Sequence, residues 1–206
     1  MMKKPCAVMA VLAIAMLVGC SSESSKPAEK PQPKPPEFVT GRTAFQKMYI
    51  TARGWARDAQ PFRLESQATS DANGQDGKSA IWRASFASEL QRGVKPYTWS
   101  GTDAADAPAR GISPGPEDTY SPNNSSTQIF NIGFLKKDSD QALEVAQKHG
   151  GDKFLQKNPS APVFYVLDWS RPTNQLIWHV LYGGKDNSIL KVDVNATTGE
   201  FIRVEK

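Results

Sequence analysis

Histidine and cysteine, which carry much of the chemistry that enzymes perform at neutral pH, are scarce in this chain of 206 residues. The two histidines, His149 and His179, are predicted at the end of a helix and within a strand. A positive charge is favourable at a helix C-terminus, which accounts for His149 without catalysis. His179 alternates with apolar neighbours along its strand, which predicts a half-buried structural side chain. Neither histidine has the spacing of a metal ligand, even with Asp168 as a further candidate, so no metal site is expected.

A second pattern with chemical potential, Gly111-Ile112-Ser113-Pro114-Gly115, matches the G-x-S-x-G string of a serine nucleophile elbow. That chemistry needs a strand before the serine and a helix after it, so that the hydroxyl is raised toward a substrate. Pro108 precedes Ser113, and Pro114 and Pro116 follow it, so we interpret the match as chance. The chain has no Gly-rich phosphate loop opening a helix, and no HExxH or CxxC pattern. The sequence therefore predicts no catalytic, cofactor-binding or metal-binding residue, and a protein that is not an enzyme.

The two cysteines lie within or beside an N-terminal targeting signal. Residues 1–19 combine Lys3-Lys4, an apolar run from Ala7 to Val18 and small residues, as secretory signal peptides do. The apolar run is shorter than the roughly 20 residues that a permanent membrane-spanning helix needs. Its end, Leu17-Val18-Gly19-Cys20, resembles a bacterial lipobox. An uncleaved anchor and an ordinary signal peptide are the alternatives.

The lipobox resemblance implies that Cys20 is lipidated. In such signals the peptide is cut before the cysteine, and several acyl chains then hold the protein on a membrane far more firmly than one chain does. Cys6 would leave with the signal and Cys20 would become a thioether, so no thiol would remain for a disulfide, a metal or a nucleophile. Ser21, rather than Asp, after the cysteine implies the periplasmic face of the outer membrane if the host has two membranes. The expected location is therefore the cell envelope, with the membrane as a partner.

Composition and charge place the rest of the chain among globular proteins. It is 39% hydrophobic and 22% charged, which argues against general disorder. The net charge is +4, and without Lys3 and Lys4 the chain keeps 23 basic and 21 acidic residues, a net charge of +2. No basic cluster is interleaved with aromatic residues, so no nucleic-acid partner is expected.

The chain after the lipobox begins with a Pro-rich segment, residues 20–38, that cannot form a core and is expected to be a disordered, extended tether. From Thr40, apolar residues recur at spacings of three and four, which predicts an amphipathic helix that ends before Pro61. Strands are predicted to follow at Phe62–Thr69, Ala80–Leu90 and Lys95–Ser100. Residues 39–100 are therefore expected to form one helix followed by an antiparallel meander.

Residues 101–134 are rich in Pro, Gly, Asp, Asn and Ser, and are predicted to be a linker with a surface loop, with Gln128–Leu135 as a candidate strand. Residues 135–206 then return to the pattern of the first half. A capping box at Asp138–Gln141 opens a second helix, which is predicted to end at Gly150-Gly151, and Asp152–Lys157 is a candidate for a further helical turn before Pro159. Further strands are predicted at Pro162–Trp169 and over the closing meander, residues 176–206.

The two halves share a short string as well as an order of elements. Ile81-Trp82-x-x-x-Phe86 in the first half corresponds to Ile177-Trp178-x-x-x-Tyr182 in the second, each in the strand that follows a long turn. The shared order of helix, strand, turn and Ile-Trp strand indicates a duplicated unit. Coincidence between short apolar strings is the alternative.

The last hairpin carries a resemblance to a known family. Its turn reads Val194-Asn195-Ala196-Thr197-Thr198-Gly199-Glu200, and Gly199 can take a positive φ without a steric penalty. This stretch resembles the closing hairpin of PepSY domains, which carries a Val-Asp-Ala-x-Thr-Gly-Glu pattern. Asn195 stands where the family usually has Asp, so it can cap its own turn but brings no charge. The resemblance implies an α+β fold of two PepSY-like units, residues 39–100 and 135–206, each an amphipathic helix packed on a small antiparallel sheet.

The resemblance also implies a function through binding. PepSY units occur in the propeptides of thermolysin-like metallopeptidases, so a regulator or inhibitor of an extracytoplasmic peptidase is expected, with the peptidase as a separate protein. The alternative is a structural or assembly partner of another envelope complex, which the tether and the loop from Gly101 to Thr127 indicate. Most of the five tryptophans are expected in the core. Open strand edges are a feature that could accept a partner's strand.

Overall fold

A computed structural model describes residues 34–67, 69 and 72–205. The predicted signal peptide, Cys20 and the tether up to residue 33 lie outside these residues. Within the described part, no helix combines the length and the apolar character that crossing a membrane requires. The architecture is mixed α/β, with one large antiparallel sheet and few helices.

The sheet contains nine of the strands in the described part of the chain, and two further strands form a separate ladder. In chain order the strands are β1 (Val39–Thr40), β2 (Gln60–Gln67), β3 (Lys78–Ser79), β4 (Ile81–Ser88), β5 (Gly93–Ser100), β6 (Gly111–Pro114), β7 (Asp118–Thr119), β8 (Val163–Ser170), β9 (Gln175–Tyr182), β10 (Leu190–Asn195) and β11 (Phe201–Glu205). The sheet runs β11-β10-β9-β8-β2-β4-β5-β6, and β7 pairs with β5. The separate ladder joins β1 to β3. All pairings are antiparallel.

Three helices lie against one face of this sheet: α1 (Gly41–Trp55), α2 (Ser139–Ala146) and α3 (Asp152–Lys157). The predicted start of α1 after Thr40 is confirmed, and so is the predicted capping box of α2, in which Asp138 and Gln141 bond each other's backbone N–H groups. The predicted end of the second helix at Gly150-Gly151 is confirmed, because the helical dihedral angles are interrupted at His149 and at Gly150, whose φ is +118°. We call Gln147–Gly151 the kinked turn; the candidate helical turn after it is α3.

The two halves of the chain meet at the centre of the sheet. The first long strand after α1, β2, pairs directly with the first strand after α3, β8, with Leu64 opposite Leu167. Strands β4 and β5 extend the sheet on one side, and β9, β10 and β11 extend it on the other. The expected pair of small sheets is therefore one continuous sheet.

A pair of tryptophans occupies the core above this central junction. Trp82 and Trp178 are fully buried, and their rings meet edge to face with centroids 6.4 Å apart. Each indole N–H donates to the carbonyl two residues before a helix begins, Trp82 to Val39 at 3.0 Å and Trp178 to Lys137 at 2.9 Å. These two strands are thereby fixed to the starts of α1 and α2.

The segment predicted as a linker contributes to the sheet. Strands β6 and β7 lie within residues 101–134, and β6 forms the edge of the sheet next to β5. The candidate strand at Gln128–Leu135 is wrong, because this stretch contains a 3₁₀ turn at Ile132–Phe134. The side chain of Asn131 caps that turn by accepting from the N–H of Gly133 at 2.8 Å.

Candidate functional site

The sheet face opposite the helices carries polar side chains in one transverse row. Strand residues alternate between the two faces, so the register of the sheet decides which polar residues become neighbours. Cross-strand pairing places eight residues side by side from β6 to β11, in the order Ser113, Thr98, Arg83, Glu65, Val166, His179, Asp193 and Arg203. Along this row, Asp193 contacts both His179 and Arg203.

His179 lies in this row between two carboxylates. Its Nδ1 is 2.5 Å from Oδ1 of Asp193, and its Nε2 is 3.1 Å from Oδ1 of Asp168. The Asp193 side chain is fully buried and also accepts from Nε of Arg203 at 2.8 Å, whereas 14% of the His179 side chain is exposed. The predicted half-buried placement of His179 within a strand is confirmed.

These contacts set the protonation state of the histidine. Burial by itself disfavours the imidazolium, but the hydrogen bonds and negative charges of Asp168 and Asp193 outweigh it and raise the pKa of His179. Burial also opposes ionisation of the two aspartates, and the hydrogen bonds and charge of His179 overcome it, so the pKa of each is lowered. The protonated ring then donates one hydrogen bond to each carboxylate.

Further ion pairs continue from Asp168 toward β2. Arg63 donates to Asp168 at 3.2 Å and to Glu65 at 2.9 Å. Lys185, in the loop between β9 and β10, approaches Glu65 at 2.9 Å. Burial opposes ionisation of Glu65, but the hydrogen bonds and charges of Arg63 and Lys185 lower its pKa. These ion pairs connect seven residues, which we call the charge network. In order of contact, its members are Arg203, Asp193, His179, Asp168, Arg63, Glu65 and Lys185.

The polar groups of the charge network form hydrogen bonds and ion pairs with one another. Both ring nitrogens of His179 face carboxylates, so each is already in a hydrogen bond within the network. Asp168 does meet His179, but as a hydrogen-bond partner.

His149 lies elsewhere, stacked on Phe201 with ring centroids 3.7 Å apart. Within the described residues, no group of three or more His, Cys, Asp or Glu side chains has an arrangement that could hold a metal ion.

Ser113 lies in an edge strand, where the geometry differs from a nucleophile elbow. It pairs with Thr98 across β6 and β5, and the chain continues past Pro114 with Gly115 donating to the carbonyl of Pro96 at 2.8 Å. No helix follows Ser113 in the described chain before the short 3₁₀ turn at Ser125–Thr127. Its backbone therefore does not present the hydroxyl in the way that G-x-S-x-G catalysis requires.

The hairpin that carries the family resemblance has the turn chemistry expected for it. The side-chain oxygen of Asn195 accepts from the N–H groups of Thr197 and Thr198 at 2.8 and 3.0 Å. Gly199 has a φ of +82° and donates its N–H to the carbonyl of Asn195 at 2.8 Å. The register shifts by one residue in the following β10–β11 pair, as a bulge requires. Asn195 therefore caps its own turn.

A groove lies at the opposite end of the sheet from β6. Its cavity volume is about 890 Å³, within the range of ligand-binding sites. It lies between the kinked turn, α3 and the last two strands of the sheet. We call it the β11 groove; its apolar lining is Phe154, Ile189, Leu190 and Val204, and its charged lining is Lys148, Lys153, Lys157 and Asp152, with His149 beside them.

Two glycines shape the wall of the β11 groove. Gly150 permits the kinked turn through its positive φ, and Gly151 lets that turn lie directly on the sheet, since an added Cβ would clash with the Tyr182 hydroxyl. His149, held in this turn, covers part of Phe201 by stacking. Phe201 nevertheless stays 38% exposed, and Ile189 on the other side stays 65% exposed.

Sequence reasoning missed most of the charge network and the β11 groove. The alternation of residues along Lys191-Val192-Asp193-Val194 places Asp193 on the face opposite the valines. This placement of Asp193 can be predicted from the sequence. The neighbours of Asp193 depend on strand register, which no local pattern specifies. The Gly-Gly pair correctly indicates where the helix stops, but the groove also depends on the packing of the kinked turn against the distant Tyr182, which no local pattern specifies.

No protein-family model, no curated protein and no solved structure matches the chain.

Proposed function

We propose that this chain is a lipid-anchored binding protein of the cell envelope, and that its folded part holds another envelope protein at the β11 groove. The observation that carries the proposal is the groove itself, which combines an apolar lining with a strand edge that has no partner among the described residues. Lipidation of Cys20 would tether this surface to the membrane. The chain enters the fold on the side of β5, where Glu37 donates its N–H to the carbonyl of Gly101 at 2.9 Å and Arg110 bonds the carbonyls of Lys34 and Pro35.

Residues 34–38, the described end of the predicted tether, lie away from the binding surface. Strands β5 and β11 are separated by six strand spacings in the sheet order, or about 29 Å at ~4.8 Å per spacing. The β11 groove therefore lies near the end of the sheet that is remote from the last residues of the tether. A partner could reach it without displacing the contacts that fix Lys34 and Glu37.

We further propose that the fold consists of two PepSY-like units. What supports this is the repeated order of a helix followed by three long antiparallel strands, and the equivalent bonds of Trp82 and Trp178 to the residues before α1 and α2. The Asn195 turn supports it as well. In this reading the units join through their first strands, β2 and β8.

The proposed role is regulation or inhibition of an extracytoplasmic peptidase, which is what the PepSY resemblance implies. Binding rather than catalysis is favoured by the charge network, whose buried carboxylate and histidine are committed to one another. The alternative is an assembly partner of another envelope complex. Strands β6 and β7, which both pair with β5 at the other end of the sheet, are the observation that favours it.

Cross-linking in native cells followed by affinity purification tests this function. A tag at the C-terminus would follow β11 directly, so the tag belongs in the exposed loop around Asp106. A captured secreted or membrane peptidase supports the regulatory role, and a stable set of envelope subunits supports the assembly role. Capture of no protein, from cells in which the chain is present and anchored, would refute the binding function.

The anchor needs its own control. Labelling cells with an alkyne fatty acid should mark the chain, and Cys20→Ala should abolish both the label and the association with membranes. Cys6→Ala is the matched control and should retain both. A membrane-associated but unlabelled chain would contradict lipidation at Cys20.

A further inference from the structure

The outermost strand of the sheet next to the β11 groove has one side without a strand partner in the described chain. Strand β11 pairs with β10 through Val204 opposite Val192 and Arg203 opposite Asp193. Val204 points toward the groove, and Arg203 points to the face of the charge network. The N–H and C=O groups on the outer side of β11 are therefore available to pair with another extended chain.

We propose that the β11 groove binds an acidic, extended segment of a partner polypeptide, which adds a tenth strand to the sheet alongside β11. The inference rests on the proposed binding function and specifies the chemistry of the partner. It predicts main-chain pairing with β11 together with apolar side chains that enter the groove. Alternate residues of the segment would carry these side chains.

Strand geometry matches the shape of the surface. A strand added about 4.8 Å beyond β11 would direct every second side chain to the helix side of the sheet. Those side chains would lie beside Val204 and Phe201 and beneath α3. The exposed fractions of Ile189 (65%) and Phe201 (38%) mark the apolar surface that they would cover.

The charge of the rim selects an acidic segment. Three lysines, Lys148, Lys153 and Lys157, line the groove against a single carboxylate, Asp152. Among the described residues, none of these three lysines forms an ion pair, whereas other lysines of the fold do. An acidic chain would therefore gain attraction along the groove, and a basic chain would be repelled.

The charges on β11 itself do not close the edge. Edge strands are commonly protected by charged side chains. Here Arg203 is paired with Asp193, and Glu205 is paired with Lys191 at 2.8 Å, both on the face away from the groove. The side of β11 that borders the groove carries Val204 and Phe201 instead.

Two labelled peptides of ten residues test the inference on the full chain in detergent micelles. Both alternate Val and Leu with charged residues, which are Asp and Glu in one peptide and Lys and Arg in the other. Fluorescence polarisation should show binding of the acidic peptide and about tenfold weaker binding of the basic peptide. Equal binding of both peptides would overturn the predicted charge preference.

Backbone N-methylation distinguishes strand addition from other modes of binding. Methyl groups on alternate amides of the acidic peptide block one of its two hydrogen-bonding edges. One set should abolish binding, and the complementary set should preserve it, because only one edge of an added strand faces β11. Equal effects of the two sets would overturn strand addition.

Matched variants locate the site. Lys153→Glu combined with Lys157→Glu should weaken binding of the acidic peptide about tenfold, and Arg53→Glu combined with Arg57→Glu, which has the same charge change and spacing, should not. Ile189→Ser should weaken binding, and Ile50→Ser, which alters an equally exposed isoleucine of α1, should not. Loss of binding only in the control variants would place the peptide elsewhere.

Two other occupants of the groove are outcomes that would overturn the inference. One is a second copy of the chain, which light scattering would detect as a dimer that Ile189→Ser dissociates and that the peptide does not compete with. The other is an anionic membrane, which would appear as binding to phosphatidylglycerol vesicles that depends on Lys153 and Lys157 in the absence of peptide binding.

A photo-cross-linker at position 189 or 50 in cells separates this inference from the proposed function. A partner captured from position 189 supports both. A partner captured from position 50 alone refutes the β11 groove as its site and leaves the binding function standing. Capture from neither position, together with no partner in the affinity purification, refutes the binding function itself.

Discussion

At the scale of single residues, the charge network pairs side chains of the types that catalytic sites use with one another. A histidine between carboxylates resembles the base of a catalytic triad, but here both ring nitrogens face carboxylates, which raise the pKa of His179. Adjacent members of the network alternate in sign from Arg203 through Asp193, His179, Asp168, Arg63 and Glu65 to Lys185. Every buried charge therefore has opposite charges as neighbours, which offsets its desolvation.

The first prediction concerns the pH dependence of this network. The raised pKa of His179 contributes stability that is complete below about pH 6.5 and is lost as the pH rises through the folded-state value. The lowered pKa values of Asp168, Asp193 and Glu65 contribute stability that is complete above about pH 4.5 and is lost as the pH falls. The free energy of unfolding should therefore be greatest between these limits. Urea denaturation of the full chain from pH 3 to pH 9 measures it.

The variant His179→Gln tests whether His179 causes the loss of stability at alkaline pH. The variant should be less stable near pH 6, and its free energy of unfolding should fall less between pH 6 and pH 9, because the titrating ring is gone. His149→Gln removes the other histidine while the network stays in place, so it should keep the decline. An unchanged decline in His179→Gln would contradict the raised pKa of this ring.

At the scale of elements, the start of α1 is fixed by residues that belong to the second half of the chain. The N–H of Gly41 donates to the Ser139 hydroxyl, and the N–H of Arg42 donates to the Asp138 carboxylate, each at 2.8 Å. Two of the first amides of α1, which have no partner within the helix, are capped in this way by the start of α2. The tryptophan bonds to Val39 and Lys137 fix the same two points.

The second prediction uses two glycines of this helix. A Cβ at Gly41 would lie 2.7 Å from Trp178 and 3.0 Å from Trp82, whereas a Cβ at Gly54 would meet nothing within 4 Å. Gly41→Ala should therefore lower the free energy of unfolding by about 1–3 kcal/mol through overpacking. Gly54→Ala should raise it by about 0.5–1 kcal/mol, because alanine favours a helix and restricts the unfolded chain. Chemical denaturation of both variants makes the comparison, and stabilisation by Gly41→Ala would contradict the close packing of the tryptophans.

The elements that local chemistry specifies are those that the sequence predicts well. The apolar spacing after Thr40, the capping box at Asp138 and the turn at Asn195 each depend on residues within one or two turns of chain, and all three are confirmed. Strands β6 and β7 were missed because their prolines and aspartates are poor strand formers, and pairing with β5 overrides that preference. The helix end at Gly150-Gly151 is also predicted, but the close packing of Gly151 on Tyr182 is not, because it depends on a strand that is distant in sequence.

At the scale of the whole molecule, local sequence patterns do not predict how the two halves of the chain join. The β2–β8 pair joins residues about one hundred positions apart, including Arg63 and Asp168 on one face and Leu64 and Leu167 on the other. Sequence order alone is compatible with two separate sheets or with one. The continuous sheet arises because Trp82 and Trp178 pack against each other above this pair and share one core.

The third prediction follows from this shared core: the two halves should unfold together. Separate units on a flexible connection would open independently, whereas loss of either half here would expose the central edge of β2 or β8 and one of the paired tryptophans. Hydrogen exchange of the full chain, measured over a series of urea concentrations, should give amides of β4 and β9 the same free energy of opening. Amides of β6 and β7 are the internal control and should exchange through smaller openings, because these short strands lie at an edge of the sheet. A lower free energy of opening for β4 than for β9, or the reverse, would show that one half unfolds while the other persists, and the β2–β8 pair would then join two units that fold separately.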